Sequence, residues 1–155
     1  MAEHEFHYWT HGVNLIVQDE PNPADNIRRN SQGTRVRQNA GENWFHFGVT
    51  TASLLDGHPV KYVHAYLKGH INGEATVQSV HVYEGGYEDG VNIGTKRIWA
   101  RDDLRLSSRP LDDLDINLPD SWSNEPIVIC IRAEFVSGGE IYFAGAGIRL
   151  HEITR

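Results

Sequence analysis

The sequence predicts an all-β protein: a two-sheet antiparallel β-sandwich of jelly-roll type, with a closed β-barrel as the alternative. Three observations carry this expectation. The segment from Pro126 to Val136 alternates in polarity at period two, the mark of a half-buried strand. No segment sustains a helical period. Strand candidates, about seven or eight of them, recur along the chain with Gly, Asn, Asp and Pro between them.

Taken in order, residues 1–8 read as a tail, and Val13, Leu15 and Val17 mark a first strand. Pro21 to Gln32 is polar and turn-rich, so it reads as a loop with at most one helical turn. Trp44 to Thr51 alternates and points Phe45, Phe47 and Val49 inward. Val63, Ala65, Leu67 and Ile71 line the apolar side of the next strand, which leaves His64, Tyr66, Lys68 and His70 on its outer side. Asn72-Gly73-Glu74 is a hairpin signal that makes Thr76 to Tyr83 the antiparallel neighbour. Ile98 and Ala100 mark a short strand and place Trp99, between Arg97 and Arg101, on its opposite face. Asp102 to Asn124 is the longest irregular stretch, and its leucines are expected to cover one end or edge of the sheets. Ile127, Ile129, Ile131, Ala133 and Phe135 share one face of the clearest strand. Ser137-Gly138-Gly139 then reads as a tight turn, because glycine reaches positive φ without steric cost. A return strand follows to Leu150, with Ala144, Ala146, Ile148 and Leu150 on one side. Gly145 and Gly147 fall on the other side, where paired glycines mark a bend or the close approach of another backbone or a ligand.

The chain has 155 residues and a mass of 17.5 kDa, which suits a single domain over 1–155. With 14 basic and 21 acidic residues its net charge is -7, which argues against nucleic acid and anionic membrane as partners. No apolar run approaches the ~18 residues of a membrane helix. The start has no basic region followed by an apolar stretch, so no secretory signal is expected. Cys130 is the single cysteine, so no internal disulfide forms, and this suits a reducing cytoplasm.

Gly33-Thr-Arg-Val-Arg37, Asn43-Trp-Phe-His-Phe47 and Val80-His-Val-Tyr-Glu-Gly85 resemble elements of a group of small bacterial proteins of unknown function. Trp9-Thr-His-Gly12 is similar to a Trp-x-His-Gly element near the start of that group. The resemblance spans roughly Trp9 to Gly85. It implies a compact β-sandwich and carries over no catalytic residue.

Nine histidines are many for this length. Imidazole binds zinc, copper, nickel and iron, and a site drawing on His46, His64 and His81 with Tyr66 is the catalytic or metal-assisted alternative. No His-x-His pair is present, and His64 and His70 stand ~20 Å apart along an extended strand. The expectation is therefore no resident metal and a solvated or hydrogen-bonded sheet face. His4, His7 and His11 read as part of a surface tail. Asp112, Asp113 and Asp115 are calcium candidates because loop carboxylates supply oxygen ligands, but no EF-hand pattern surrounds them. Cys130, inside an alternating strand, reads as a structural thiol.

Four tryptophans and six tyrosines exceed what one small core must bury. Trp44, Trp99, Tyr66, Arg97 and Arg101 are the candidates for a ligand-binding or self-association face, since exposed aromatics stack on sugar rings and are enriched at interfaces. The expected function is a non-enzymatic protein that binds a carbohydrate or other small ligand, or assembles with copies of itself as a homodimer or higher oligomer. The alternative is a small enzyme with a polar His/Tyr pocket on a sheet face.

Overall fold

The computed structural model of the protein describes residues 4–19, 25–51, 54–55, 58–89, 92–122 and 126–152. It is all-β. Among the described residues, ten strands occur in the order β1 (Glu5–His11), β2 (Ile16–Val17), β3 (Asn26–Asn30), β4 (Gly33–Val49), β5 (Leu54–Leu55), β6 (His58–Asn72), β7 (Ala75–Asp89), β8 (Asn92–Arg101), β9 (Ile116–Trp122) and β10 (Ile127–Glu152). They join in one antiparallel sheet that is open, so the barrel alternative is not adopted.

The sheet is organised around β10. Along one edge β10 pairs first with β4, from Ile127 to Phe143, and then with β1. Along its other edge it pairs with β7, from Ile127 to Phe135, and then with β6, from Glu140 to Glu152. Two sequence-based expectations change here. Asn72-Gly73-Glu74 does not reverse the chain: β6 and β7 follow one another along β10. Ser137-Gly138-Gly139 does not reverse it either, and β10 runs on through it for 26 residues. Turn chemistry is present but spent on a bend. Gly41, Gly73, Ser137 and Gly138 have φ of 88°, 62°, 51° and 77°. They lie at one level, where Val136 pairs with Ala40 and its N–H donates to Glu74 O at 2.9 Å. An extra left-handed residue in a paired strand makes a bulge, which kinks the strand without unpairing its neighbours.

Because the long runs bend together, the sheet folds over on itself. Its first half holds β7, β8 and the adjoining parts of β4 and β10, and its second half holds β1, β3, β6, β9 and the rest. Phe45, on the first half, packs on Phe143, on the second, with ring centroids 5.1 Å apart. Ile127, Ile129, Ile131, Ala133 and Phe135 all point into this core, as the alternation predicts. So do Phe45, Phe47, Val49, Ala146, Ile148 and Leu150. Across the level of the register shift between Val136 and Gly139, the inward set of β4 switches from Val36 and Gln38 to Asn43 and Phe45.

Bulges account for other departures. A register shift between Tyr62 and His64 turns Tyr62 into the core and leaves Val63 half-buried. A shift between Val82 and Tyr83 sets Trp99 opposite inward-facing Val82, so Trp99 packs against the core beside Ile98. The expectation of an outward Trp99 is thereby corrected. Residues 26–30, read as loop, form β3 on the edge of β4. Val13 lies in a 3₁₀ turn, Gly12–Asn14, which leaves only Ile16 and Val17 as strand there. The stretch read as a tail enters the sheet as β1. Leu104, Leu111, Leu114 and Leu118 are buried along the edge of β6 and β7, where β9 adds a strand.

Candidate functional site

Folding one sheet over gives it two outer faces, and the candidate residues divide between them. On the first half, Cys130 stands opposite His46 on β4 and His81 on β7. His46 Nε2 lies 2.9 Å from Gln18 Oε1, and its Nδ1 lies 3.0 Å from Cys130 Sγ. One tautomer serves both contacts: Nε2–H donates to the amide oxygen, and Nδ1 accepts from the thiol. His81 Nε2 is 2.7 Å from Asp102 Oδ1, and its Nδ1 is 3.1 Å from the Tyr83 hydroxyl. Here the ring N–H donates to the carboxylate and Nδ1 accepts from the phenol. Trp44 sits between the two histidines, 6.5 Å from His46 and 5.1 Å from His81, with the Arg132 guanidinium 5.8 Å over its ring.

This arrangement is satisfied within itself. Burial pushes the Cys130 thiol up to about 11, so it stays protonated and is no nucleophile at neutral pH. Burial also holds His46 below its ordinary value, in keeping with a neutral ring. The hydrogen bond from His81 holds Asp102 below the usual carboxylate range. A shallow hollow of about 200 Å³ lies over Trp44, His46, His81 and Cys130. Near it is a larger polar cleft of about 620 Å³, lined by Glu42, Gln78, Asp102, Arg105, Arg132 and Glu134 among others. In it Glu42 stands directly across from Glu134, whose carboxylate accepts from Gln78 Nε2 at 2.7 Å.

The second half presents a different surface. Trp9 on β1, Gly147 on β10 and Tyr66 on β6 form one row across the sheet. Gly147 supplies no side chain, and both rings lean over it, stacked with centroids 5.5 Å apart. A Cβ on Gly147 would come within 2.6 Å of Trp9 Cδ2 and Cε3. The glycine is therefore the floor under an aromatic platform, the close approach that paired glycines signal. His7 and His64 flank Tyr66 at 6.0 and 4.5 Å, and Lys68 Nζ lies 4.9 Å from the Trp9 ring. His64 is turned by Asn117 Oδ1 at 3.0 Å and Asp115 Oδ1 at 3.3 Å. Trp9 nevertheless stays 46% exposed.

His46 and His81 thus share one face, while His64 and Tyr66 share the other, so the site combining all of them does not assemble. The fold-over separates strands that period-two reading cannot place. Asp112 and Asp113 lie exposed in the 3₁₀ turn Leu111–Asp113, and Asp115 is engaged with His64 and Asn117. Among the described residues, no group of three or more His, Cys, Asp or Glu side chains is placed to hold a metal ion. Arg97 and Arg101 are exposed on β8, with Arg101 Nε 3.7 Å from Asp103. The platform residues Trp9 and His7 were not singled out from sequence as site residues. Gly145 and Gly147 were the available signal, since a glycine pair on an outward face leaves room for a neighbour's ring.

The chain matches a family model over residues 4–99. It belongs to DUF6623, a family of unknown function. The resemblance read from Trp9 to Gly85 falls inside that match. The DUF6623 region includes Trp9, Tyr66, Trp44, His46 and His81, and stops before Cys130, Gly147 and Arg149, which central strand β10 contributes. No curated protein matches the chain. Among the described residues no helix is long and apolar enough to cross a membrane.

Proposed function

We propose that this DUF6623 protein is a non-enzymatic carbohydrate-binding protein that presents the Trp9–Tyr66 platform to a sugar ring. One observation carries the reading: a half-exposed tryptophan lies stacked with a tyrosine over a side-chain-free strand, with hydrogen-bonding groups around it. The apolar face of a pyranose packs on such rings, and His7, His64 and Lys68 stand where they meet its hydroxyls. Affinity electrophoresis through gels loaded with soluble polysaccharides tests this. At least one polysaccharide should retard the protein; Trp9→Ala and Tyr66→Ala should remove the retardation, and Trp44→Ala should keep it. Equal retardation of all three variants overturns the reading.

Self-association is the other use for an exposed aromatic surface. Trp44 and Trp99 are engaged within the chain, so an interface between copies has Trp9 as its aromatic anchor. A solution mass at a multiple of 17.5 kDa that Trp9→Glu lowers would favour assembly over ligand binding.

A small enzyme is the second reading, and the cleft supports it, since Glu42 and Glu134 stand side by side on neighbouring strands in its lining and glycoside hydrolysis uses a pair of carboxyl groups. New reducing ends released from a polysaccharide by the protein, and lost in Glu134→Gln, would establish it.

A further inference from the structure

The same outer face carries a second feature that the platform does not use. Arg28 on β3, Arg35 on β4, Tyr142 on β10 and His70 on β6 form one row across four strands. Arg28 and Arg35 are therefore directly opposed, and like charges in that position destabilise a sheet. Arg37 lies in the adjoining row, and a hollow of about 180 Å³ opens among Arg28, Arg35, Arg37, Asn26 and Glu140. Arg35 is paired with Glu140, at 3.3 Å. Among the described residues, Arg28 and Arg37 make no ion pair. The Arg28 row lies four residues along β6 from the Trp9 row, His70 against Tyr66, about 13 Å at strand rise, and the bulge between Phe143 and Gly145 keeps both rows on the same face. Lys68 and Arg149 stand between or beside the two rows. A chain of net charge -7 thus gathers cations on one face, with Glu5, Glu140 and Asp115 spaced among them.

We infer that this face binds an extended acidic polysaccharide: one sugar ring stacks on Trp9 and Tyr66, and a carboxylate or sulfate further along the same chain is held between Arg28, Arg35 and Arg37. This deepens the carbohydrate-binding reading and rests on it. The argument is charge complementarity joined to spacing. Guanidinium groups pair carboxylate and sulfate in fork geometry, and a retained like-charge pair is relieved by an anion placed between its members. A span of about 13 Å calls for an oligosaccharide, not a single ring. Single-stranded nucleic acid suits the surface less well. It stacks successive bases on successive aromatics, whereas the ring contacts of this face centre on Tyr66, and Tyr142 in the Arg28 row ties its hydroxyl to Gln32 O.

The test is titration calorimetry of the full chain with polygalacturonate, dextran sulfate, neutral dextran, polyglutamate and poly(dT), at low and high salt. One acidic polysaccharide should bind about tenfold or more tighter than dextran, with an affinity that falls as salt rises. Which of the two binds distinguishes a carboxylate ligand from a sulfate ligand. Arg28→Ala leaves the Arg35–Glu140 pair intact and removes a like-charge contact, so the fold should hold. It should weaken acidic binding about fivefold to tenfold and leave any dextran binding unchanged. Trp9→Ala should weaken both. Equal affinity for dextran and the acidic polymers, or no effect of Arg28→Ala, overturns this inference and leaves the carbohydrate reading standing. Binding of no saccharide defeats both. Equal or tighter binding of polyglutamate or poly(dT) overturns the sugar component and shows a general polyanion or nucleic-acid surface.

Discussion

Both outer faces of the folded sheet carry a tryptophan, a tyrosine and two histidines close together, yet they are built for different ends. On the first half, Trp44 lies under Arg132 and between His46 and His81, and every nitrogen of those two rings has a partner. Cys130 beneath them is 6% exposed. On the second half, Trp9 rests on a glycine, stacks on Tyr66 with Lys68 Nζ 4.9 Å from its ring, and stays 46% exposed. The same residue types are used up internally in one place and left open to solvent in the other. What separates them is the residue at the centre of the row: Cys130 draws its neighbours inward, whereas Gly147 leaves a floor on which rings lie flat. Composition alone, nine histidines and four tryptophans, does not distinguish a satisfied network from an open aromatic surface.

Four measurements would sharpen or break this contrast. The largest effects should come from the core that both faces share. Ile129→Ala and Phe47→Ala should each lower stability by roughly 2–5 kcal/mol in urea unfolding, and half-buried Val128→Ala by less. Equal losses at Val128 and Ile129 would mean that the outer side of β10 is as closed as the inner.

Next in size is Trp44→Ala, which should cost roughly 1–3 kcal/mol because it strips packing from Arg132, His46 and His81. A loss near zero would show the first face to be as open as the second.

The first face should also add its own pH dependence to stability. Burial raises Cys130 from 9.0 to about 11, so its contribution is complete below about 9 and is lost as pH rises toward 11. His46 is held below its ordinary 6.5, so its contribution is complete above that value and is lost as pH falls through it. Urea midpoints measured across pH should fall at both ends, and Cys130→Ala should flatten the alkaline arm. An alkaline arm unchanged by that substitution would assign it elsewhere. In the same network, iodoacetamide should leave the native thiol unmodified at neutral pH and label it in urea.

The smallest stability effect should be that of Trp9→Ala, below ~1 kcal/mol, since the ring is half-exposed and packs on a strand without side chains there. A loss as large as that of Trp44→Ala would make the platform a structural cover for β10. Its reserve for a ligand would then be gone.

Local pattern determined much of this protein. The all-β class, the inward faces of Ile127 to Phe135 and Phe45 to Val49, and the outward row His64, Tyr66, Lys68 and His70 follow from alternation. A strand with one buried side must repeat at period two. The structural character of Cys130 follows from the same pattern. Tertiary structure alone decided the rest, for one recurring reason. Glycines at positive φ can reverse a chain or merely bend it, and the choice depends on what lies alongside. At Gly73 and at Ser137-Gly138 the neighbouring long strands were already paired across the level of the bend, so the chain ran on and the sheet folded as a unit. That fold-over assigned His46 and His81 to one face and His64 and Tyr66 to the other, and brought β1 beside Gly147. A single extra residue at a bulge then turned Trp99 and Tyr62 inward, because any shift by one exchanges the two sides of a strand.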